Sequence, residues 1–421
     1  MKQVHVIGAG LAGLSAALSL SAAGWAVTVH EAGPAAGGRC RSFFDQELGL
    51  RIDNGNHMLL SGNLSAKAYI AEIGAQDQFQ VRKKALFPFM DIGTGERWAV
   101  HPNTGRIPWW IFRNSRRVPD TRLSDYLAMA RIAWIKDNTP VADSMRRGRL
   151  YWRLVDPIAI AALNTPLQEG LARLLGAVMK ETLLRGGKAC IPMLPKLGLS
   201  EALIDPAIAT LQARGAEIRF NSRIAELTVE AGKITALRGP EGSIAIEPGD
   251  AVILAAPARV AADLLPGLIV PDAFQAILNI HFGYNAEPGG LLAEAGFIGL
   301  TSATAEWVFV KPGHVSVTIS AANGMVDDPA RTIAALVWPN VVDSLGLPAS
   351  AKETLPPFRV VKEKRATFAA TARQEQRRPK AKIGLAGNLA VAGDWTDTGL
   401  PATIEGAIRS GRTAADVILS L

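Results

Sequence analysis

Cysteine is almost absent from this chain of 421 residues, which contains two, Cys40 and Cys190. Two cysteines exclude a disulfide framework and indicate a reducing compartment. Tyrosine is also scarce, with four residues, the last of them Tyr284, so residues 285–421 contain none. Internal repeats and low-complexity tracts are absent as well. A chain of this length is expected to fold into two or three structural modules with a large buried core.

Charged side chains are missing from residues 3–30, which contain no Lys, Arg, Asp or Glu. Such a stretch has the composition of a signal peptide or a membrane span. Glycines interrupt it, however, and it lacks a continuous apolar run of about twenty residues, the length that a spanning helix needs. We therefore expect a cytoplasmic protein with neither a cleaved leader nor a transmembrane helix.

The glycines in this stretch follow a dinucleotide-binding pattern. Gly8, Gly10 and Gly13 come directly after a short apolar run, and Glu31 ends the next one. The first glycine permits a tight strand-to-helix turn, the second allows backbone N–H groups close to a pyrophosphate, and the third allows the helix to pack on the sheet. The N-terminus of that helix favours negative charge. The Glu31 carboxylate is suited to the hydroxyls of an adenosine ribose.

Two further segments narrow the cofactor to FAD. After the second strand, Gly37 and Gly38 leave room for a flavin's pyrophosphate and ribityl chain, and Arg39 adds a positive charge beside them. Near the C-terminus, Gly393 and Asp394 follow an apolar strand, and the carboxylate is suited to a ribityl hydroxyl. A helix begins soon after this pair, and its N-terminus is expected to direct partial positive charge at the flavin ring. Neither cysteine lies near the C-terminal segment, so we expect noncovalent FAD.

The predicted cofactor site draws on both ends of the chain and on one residue between them. Its residues are Gly8, Gly10, Leu11, Ala12, Gly13, Glu31, Gly37, Gly38, Arg39, Ile224, Gly393, Asp394, Thr403 and Ile404. No metal site is predicted. A second glycine-rich fingerprint is absent, so a bound nicotinamide coenzyme is not indicated as the direct reductant, and the source of electrons stays open.

The strand and helix patterns predict an α/β fold, with a Rossmann-like FAD-binding domain and an inserted mixed α+β substrate domain. The FAD-binding domain is discontinuous, and its three parts are residues 1–75, 197–261 and 382–421. The substrate domain takes the two segments between them, 76–196 and 262–381. The ends of the chain are therefore expected to lie in the same domain.

The first insert contains a basic, tryptophan-rich segment, residues 106–153, which we predict to be helical. It has eleven Arg or Lys and four Asp, an excess equal to the net charge of +7 on the whole chain, and four of the nine tryptophans. This combination suits the headgroup region of an anionic membrane, where each basic residue is worth about 1 kcal/mol. A solvated helical surface with its tryptophans in the core is the alternative. Nucleic acid is disfavoured because no DNA- or RNA-binding module is recognisable. We expect a peripheral protein on the inner face of the membrane.

The motifs above resemble those of the carotenoid-desaturase and flavin amine-oxidase superfamily, which implies an FAD-binding domain of the amine-oxidase type. The shared segments are VIGAGLAGLSAALSL at 6–20 and HEAGPAAGGRCRS at 30–42. More specific are IDNGNHMLLSGN at 52–63, LLRGGKACIPMLPKLGLSEALIDPA at 183–207 and GDWTDTGLPATIEGAIRSG at 393–411. Together they are similar to the squalene-associated FAD-dependent desaturases, the hydroxysqualene dehydroxylase family.

The resemblance implies reductive removal of the allylic hydroxyl of hydroxysqualene in hopanoid biosynthesis, with reduced FAD as hydride donor and squalene and water as products. Hydroxide is a poor leaving group, so an acid must protonate the departing oxygen before the allylic cation accepts a hydride. Candidate proton donors are Asp53, His57 and Asp397, and Asn54 and Asn56 are candidates for orienting the hydroxyl. A triterpenoid substrate also requires a long apolar tunnel.

Two alternatives remain open at the level of the sequence. One is the oxidative reaction of a carotenoid or phytoene desaturase on the same fold. The other is a non-catalytic isoprenoid-lipid-binding protein, as in the Rab GDP-dissociation inhibitors, which hold prenyl groups without flavin. The intact glycine fingerprint, Glu31 and Asp394 argue against the second. An amine oxidase is disfavoured because the C-terminal segment, which would face the flavin, contains no tyrosine.

Overall fold

The structure is a computed structural model that describes residues 2–421. Its strands are β1 (Gln3–Ile7), β2 (Ala26–His30), β3 (Ser42–Asp45), β4 (Leu50–Asp53), β5 (Leu59–Leu60), β6 (Phe79–Val81), β7 (Phe87–Asp91), β8 (Arg97–Val100), β9 (Pro192–Pro195), β10 (Glu217–Arg219), β11 (Glu226–Glu230), β12 (Lys233–Gly239), β13 (Gly242–Ala245), β14 (Ala251–Leu254), β15 (Phe274–Phe282), β16 (Phe297–Thr301), β17 (Trp307–Lys311), β18 (His314–Ile319), β19 (Phe358–Phe368) and β20 (Leu389–Val391). Its α-helices are α1 (Leu11–Ala22), α2 (Leu64–Glu72), α3 (Leu123–Arg131), α4 (Asp156–Leu163), α5 (Ala172–Glu181), α6 (Asp205–Ala213), α7 (Ala258–Leu264), α8 (Gly290–Ala295), α9 (Ala330–Leu345), α10 (Ala372–Gln376) and α11 (Ile404–Leu419).

A five-stranded sheet in the order β10-β2-β1-β14-β20 forms the first module, and all four of its strand pairings are parallel. The central strands are buried on both faces: α1, α6 and α11 cover one face, and the β11-β12-β13 sheet and α7 cover the other. Parallel strands direct their carboxyl ends to one edge, where α/β folds bind their ligands. The turns that follow β1, β2 and β20 therefore meet at that edge. The predicted α/β fold with a Rossmann-like sheet is confirmed.

The first and last helices pack directly on each other. A Cβ atom on Gly411 of α11 would lie 2.2 Å from the carbonyl oxygen of Ala12 in α1, so only glycine permits this approach. The Ser15 hydroxyl donates a hydrogen bond to the Ile408 carbonyl at 2.9 Å. This contact fixes the C-terminal helix on the N-terminal nucleotide-binding unit.

A mixed seven-stranded sheet in the order β19-β15-β18-β17-β16-β7-β8 forms the second module. One face is apolar and packs on α9, with Leu278 and Ile280 against Val337 and Trp338. The polarity of the opposite face changes along the sheet. It is aromatic where α4, α5 and the basic segment cover it, and it is polar on β15 and β18, where those strands approach residues 53–57.

The basic, tryptophan-rich segment 106–153 contains one α-helix, α3, together with short 3-10 turns such as Trp109–Phe112 and Ile132–Trp134. Prolines at 108, 119 and 140 restrict the backbone and prevent longer helices. Side chains of this segment pack on the aromatic face of the seven-stranded sheet. Across residues 2–421, no helix has both the length and the apolar composition needed to cross a membrane.

Candidate functional site

The turn between β1 and α1 depends on two glycines. Gly8 has φ +109°, and a Cβ atom there would lie 2.7 Å from the Ala255 carbonyl oxygen. A Cβ atom on Gly13 would lie 1.9 Å from the Gly8 carbonyl oxygen. Any side chain at either position would force the helix away from the sheet. These two glycines are therefore required by the fold itself.

Gly10 differs from both, because a Cβ atom there would have no protein atom within 4 Å. It lies immediately before α1, whose first intrahelical bond runs from Leu14 N–H to the Gly10 carbonyl at 2.9 Å. The N–H groups of Leu11 and Ala12 precede that bond and have no intrahelical acceptor. The first turn of α1 contains no acidic residue. This open, electropositive helix end suits a phosphate group.

Glu31 lies at the tip of β2 and fixes the backbone around the glycine turn. Its carboxylate accepts hydrogen bonds from Ala9 N–H at 2.9 Å and Gly33 N–H at 2.8 Å. The Gly37 N–H in turn donates to the Ala9 carbonyl at 2.8 Å, and a Cβ atom on Gly38 would lie 3.7 Å from Gly10 Cα. The two glycine-rich turns thus lie side by side at one edge of the sheet.

Arg39 and Asp394 join the N-terminal and C-terminal segments in an ion pair of 2.7 Å. The Arg39 guanidinium also donates to the Ala366 carbonyl at 2.5 Å. The charge of Asp394 raises the pKa of Arg39 above its ordinary value. Gly393, next to this carboxylate, donates its N–H to the Ser410 hydroxyl at 2.9 Å. The sequence predicted each charge as a contact for FAD; their contact with each other is a structural finding.

Arg378, which sequence reasoning missed, is a buried guanidinium beneath the C-terminal segment. It donates to the Thr396 carbonyl and the Asp394 carbonyl and forms an ion pair with Glu375 at 2.8 Å. Its guanidinium carbon lies 4.7 Å from the ring centre of Phe368. Nothing in its local sequence distinguishes it from the neighbouring Arg377, because all its partners except Glu375 lie at least ten positions away.

The remaining predicted cofactor residues lie around this edge. Thr403 caps α11, since its hydroxyl accepts the Gly406 N–H at 3.0 Å, and Ile404 is the first residue of the helix. Ile224 is buried and follows Ser222, whose N–H donates to the Glu31 carbonyl at 2.8 Å. Thr403, Ile404 and Ile224 therefore lie beside the edge of the five-stranded sheet that is predicted to bind the nucleotide.

Asp53 is buried, and three groups contact its carboxylate. Its carboxylate accepts hydrogen bonds from Leu199 N–H at 2.8 Å and the Ser42 hydroxyl at 2.7 Å, and it pairs with Lys311 at 2.8 Å. Burial alone raises the pKa of Asp53, but Lys311 and the two donors outweigh it and lower the pKa below its ordinary value. Asp53 is therefore a carboxylate at neutral pH, which has no proton to donate. Its contacts join residues 53–57 to β17 and to the turn before α6.

Asn54 and His57 follow Asp53 in the chain. The Asn54 amide donates to the Arg39 carbonyl at 2.6 Å and accepts the Arg41 N–H at 3.0 Å, so it fixes the second glycine-rich turn. Burial lowers the pKa of His57 below its ordinary value, which makes the imidazole neutral at neutral pH. The third candidate donor, Asp397, is exposed, and its N–H donates to the Pro379 carbonyl at 2.8 Å.

Asn56 contacts the polar face of the seven-stranded sheet. Its amide nitrogen donates to Ser316 Oγ at 2.7 Å and Thr318 Oγ1 at 3.0 Å, and Asn279 Oδ1 accepts from the same Thr318 hydroxyl at 2.9 Å. Within residues 2–421 the buried Asn56 Oδ1 has no hydrogen-bond partner. A buried acceptor without a donor is costly unless a ligand or water satisfies it. Asn56 is thus the one predicted substrate residue with an acceptor left available.

These residues fit FAD. Gly10 leaves open space beside the end of α1, Glu31 and the Arg39–Asp394 pair supply the charges that ribose, pyrophosphate and ribityl groups require, and Asn56 offers a buried acceptor. The glycine motif near the N-terminus and these residues from other parts of the chain therefore make up the predicted FAD site together. In the described part of the chain, His, Cys, Asp and Glu form no cluster suited to a metal ion.

Replacing Gly10 by Val separates cofactor binding from folding. Gly10 has φ −75°, which any residue adopts, and its Cβ position is free of protein atoms, so we expect G10V to fold with an unchanged far-ultraviolet circular dichroism spectrum. The added side chain would fill the phosphate site, and flavin absorbance of the purified protein should be lost. The matched variant G13V, which clashes with Gly8, should fail to fold. Retention of FAD by G10V would contradict this assignment.

Replacing Asp53 by Asn tests whether its carboxylate is structural. We expect D53N to lose about 3 kcal/mol of unfolding free energy at neutral pH, because Lys311 is left largely buried without its partner. The pKa of Asp53 is lowered on folding, so this stabilisation is present above the ordinary aspartate pKa and is lost as the pH falls through the folded value. Denaturant titrations of wild type and D53N should therefore converge in acid. The double variant D53N/K311M should recover stability. Unchanged stability in D53N would refute the structural role.

Comparison with known proteins gives a consistent assignment. The sequence profile of the family described as flavin containing amine oxidoreductase matches residues 11–287 and 304–419. Hydroxysqualene dehydroxylase from Rhodopseudomonas palustris is 47% identical over 100% of this chain and 99% of its own. The enzyme of the same name from Sinorhizobium fredii is 46% identical, with the same coverage of both chains. Among solved structures, cyclohexylamine oxidase from Brevibacterium oxydans superposes with a TM-score of 0.71 at 14% identity, covering 100% of this chain and 99% of that one, which shows a shared fold. The chain belongs to the flavin-containing amine oxidoreductases and, within them, to the FAD-dependent hydroxysqualene dehydroxylase family.

Proposed function

We propose that this protein removes the allylic hydroxyl group of hydroxysqualene reductively and releases squalene and water. The observation that carries the proposal is the completeness of the FAD site in a chain that matches hydroxysqualene dehydroxylases from end to end at up to 47% identity. A protein that had kept only the fold as a lipid carrier would have no use for the open phosphate site at Gly10 and the paired charges of Arg39 and Asp394.

The reaction replaces a carbon–oxygen bond with a carbon–hydrogen bond. When bound in its reduced form, FAD supplies the hydride. The carbon–oxygen bond breaks with its electron pair on oxygen, an acid transfers a proton to that oxygen, and water leaves. The protein must therefore position the hydroxyl group, supply one proton and exclude bulk water from the allylic cation.

Residues of the nucleotide edge would hold the cofactor. The end of α1 at Gly10, Leu11 and Ala12 would bind the pyrophosphate, and Glu31 would bind the adenosine ribose. The Asp394 carboxylate, held by Arg39, would accept a ribityl hydroxyl. Asn56 Oδ1 would accept a hydrogen bond from the ligand at the boundary between the two sheets.

The cysteines support noncovalent attachment of FAD. Cys40 lies within the second glycine-rich turn, but it is buried, and burial raises the pKa of its thiol. Burial likewise raises the pKa of Cys190 to about 12. The thiolate is the nucleophilic form of cysteine, so neither residue is activated for a covalent bond to flavin.

Product analysis under anaerobic conditions separates the reductive reaction from its alternatives. Chemically reduced, FAD-loaded protein should convert hydroxysqualene into squalene, as measured by mass spectrometry, and the oxidised protein should leave phytoene unchanged. Protein reduced and then passed over a column that removes free reductant provides the control for non-enzymatic reduction. Desaturated phytoene would establish the oxidative alternative, and colourless protein unable to take up FAD would establish the lipid-binding one.

We further propose that the basic, tryptophan-rich segment 106–153 contacts an anionic membrane on its cytoplasmic face. Of its four tryptophans Trp110 alone is buried, whereas Trp109 and Trp134 are each 62% exposed and Trp152 is 50% exposed. Exposed tryptophans weigh against the alternative in which they form the core. Further exposed apolar residues of the segment are Ile107, Phe112 and Leu127.

Exposed basic side chains lie beside these exposed apolar residues. Arg106 and Arg113 lie on either side of Trp109 and Phe112 and are exposed, as is Arg131 at the end of α3. Aromatic side chains interleaved with arginines match an interface where apolar groups enter the headgroup region and cations meet lipid phosphates. Such contact would bring the protein to a substrate that dissolves in lipid.

Vesicle flotation tests the membrane contact. The protein should float with vesicles that contain anionic phosphatidylglycerol and float less with purely zwitterionic ones or at high salt. W109A/F112A removes two exposed side chains, so its fold should be unchanged, but binding should weaken about tenfold or more, since burying each aromatic group is worth about 1.5–3 kcal/mol. F44A, which removes a residue 63% exposed outside the segment, is the matched control. Equal flotation of both variants would refute the proposal.

A further inference from the structure

A cleft of about 810 Å³ lies between the basic segment and the seven-stranded sheet. Its walls include Trp152 from the basic segment, Ile160 from α4, Leu167 and Leu300. Glu306, in the turn between β16 and β17, also lines it. The cleft therefore extends from an exposed tryptophan to a carboxyl group on the substrate-domain sheet.

Glu306 has no basic partner within residues 2–421, although three arginines line the same cleft. Each of those arginines is paired with a different acid. Arg147 pairs with Asp143 at 3.5 Å, Arg149 with Asp120 at 2.6 Å, and Arg153 with Glu96 at 2.5 Å.

The two other carboxyl groups of the cleft are Asp91 and Asp156. Asp91 accepts hydrogen bonds from Thr301 and Ser302. The charge of Asp156, at the start of α4, makes a smaller contribution than burial to raising the pKa of Glu306. The Glu306 carboxyl group accepts a hydrogen bond from Ser320 N–H at 2.8 Å, and the Ser320 backbone and side chain both act to lower the Glu306 pKa.

This environment favours the protonated carboxyl group. Burial, supported by the nearby charge of Asp156, raises the pKa of Glu306 to about 7. A substantial fraction of Glu306 is therefore a carboxylic acid at neutral pH. Asp53, by contrast, is held ionised by Lys311.

Two chains of hydrogen bonds connect the backbone around Glu306 with the predicted flavin site. Its backbone N–H donates to the Thr318 carbonyl at 3.3 Å, and the Thr318 hydroxyl accepts from Asn56. Glu306 therefore lies one residue contact away from the strand position that binds Asn56, whose Oδ1 is unpaired.

The second connection runs through Asn164. Ser320, which binds the Glu306 carboxyl group, precedes Ala321, whose N–H donates to Asn164 Oδ1 at 2.6 Å. Asn164 donates to Thr367 Oγ1 at 2.9 Å, and the adjoining Ala366 carbonyl accepts from Arg39 of the Arg39–Asp394 pair. Hydrogen bonds and adjoining residues thus connect Glu306 with the Arg39–Asp394 pair.

We propose that Glu306 is the acid that protonates the departing hydroxyl group. This inference rests on the proposed function. In the step, the Glu306 O–H bond breaks, its proton forms a new O–H bond on the leaving oxygen, and the carbon–oxygen electron pair departs with that oxygen as water. Reduced FAD, when bound, would supply the hydride that the allylic carbon requires. Glu306 is left as a carboxylate and regains a proton from solvent through the cleft.

Substitution of Glu306 tests the step directly. In anaerobic single turnovers with FAD-loaded protein, E306Q should form squalene about 100-fold more slowly or worse, the loss typical of a missing general acid. E306D should retain part of the rate, because it keeps the acid on a shorter side chain. E353Q, at an exposed glutamate remote from the cleft, should behave as wild type. Squalene formation by E306Q at the wild-type rate would overturn the inference, while activity of the wild type would leave the proposed function intact.

The pH dependence provides a second test that does not rely on one variant. An acid must be protonated to act, so the wild-type rate should fall as the pH rises through about 7. Burial is the main cause of the raised Glu306 pKa and the charge of Asp156 adds to it, so D156N should move the fall to lower pH only slightly. A wild-type rate that does not fall in this range would overturn the inference.

A third test needs neither substrate nor turnover. Difference infrared spectra of the oxidised, FAD-loaded protein, recorded across the neutral pH range, should show a carboxylic-acid C=O band that titrates near pH 7 and is absent from E306Q. If that band is missing in wild type or persists in E306Q, Glu306 is not the acid. No squalene from the wild type, with the band present, would instead refute the proposed function.

Discussion

The close contact between α1 and α11 is the constraint on which the rest of the structure depends. Ala12 in the nucleotide-binding helix and Gly411 in the last helix approach so closely that no side chain fits between them. This contact brings the turn after β20 to the same sheet edge as the turns after β1 and β2. The Arg39–Asp394 ion pair is possible because residues separated by 355 positions in the chain lie side by side.

Residues 53–57 connect this edge to the seven-stranded sheet. Asp53 binds Lys311 of β17, and Asn56 binds the hydroxyl groups of β18, so the cofactor-binding edge and the seven-stranded sheet are held together by polar contacts. The two acids at the boundary differ in their surroundings. Asp53 has a cation and two further donors in contact, whereas Glu306 is contacted by Ser320 and has an acid, Asp156, nearby. Environments of this kind separate carboxyl groups into structural anions and proton donors.

The fold and the cofactor could be predicted from the sequence because the residues that determine them lie close together in the chain. Gly8, Gly10, Gly13 and Glu31 lie within one strand-helix-strand unit, and the spacing alone predicted a Rossmann-like sheet, which the parallel order β10-β2-β1-β14-β20 confirms. The family assignment was confirmed for a similar reason, since its motifs are short and contiguous. The FAD requirement follows from both.

Contacts between residues far apart in the chain could not be predicted from the sequence. Arg378 is indistinguishable from its neighbour until the fold places it under Asp394, and Glu306 is an ordinary turn residue until the surrounding arginines are seen to bind other acids. The proton donors chosen from the sequence were those near cofactor motifs, because proximity in the chain was the available guide. Desolvation and charge pairing, which set a carboxyl pKa, depend on the tertiary structure. The basic segment shows the same limit: its charge was evident, whereas the exposure of three of its tryptophans was not.

In the proposed reaction, cofactor and substrate react directly at the site formed by both ends of the chain. Rapid mixing of the reduced, FAD-loaded protein with hydroxysqualene in the absence of oxygen tests it, with flavin absorbance and squalene followed in the same sample. Direct reaction requires the oxidised flavin spectrum to appear in a single turnover, with one squalene formed for each flavin oxidised. A flavin that stays reduced while squalene accumulates, or that is oxidised without squalene, would contradict the claim.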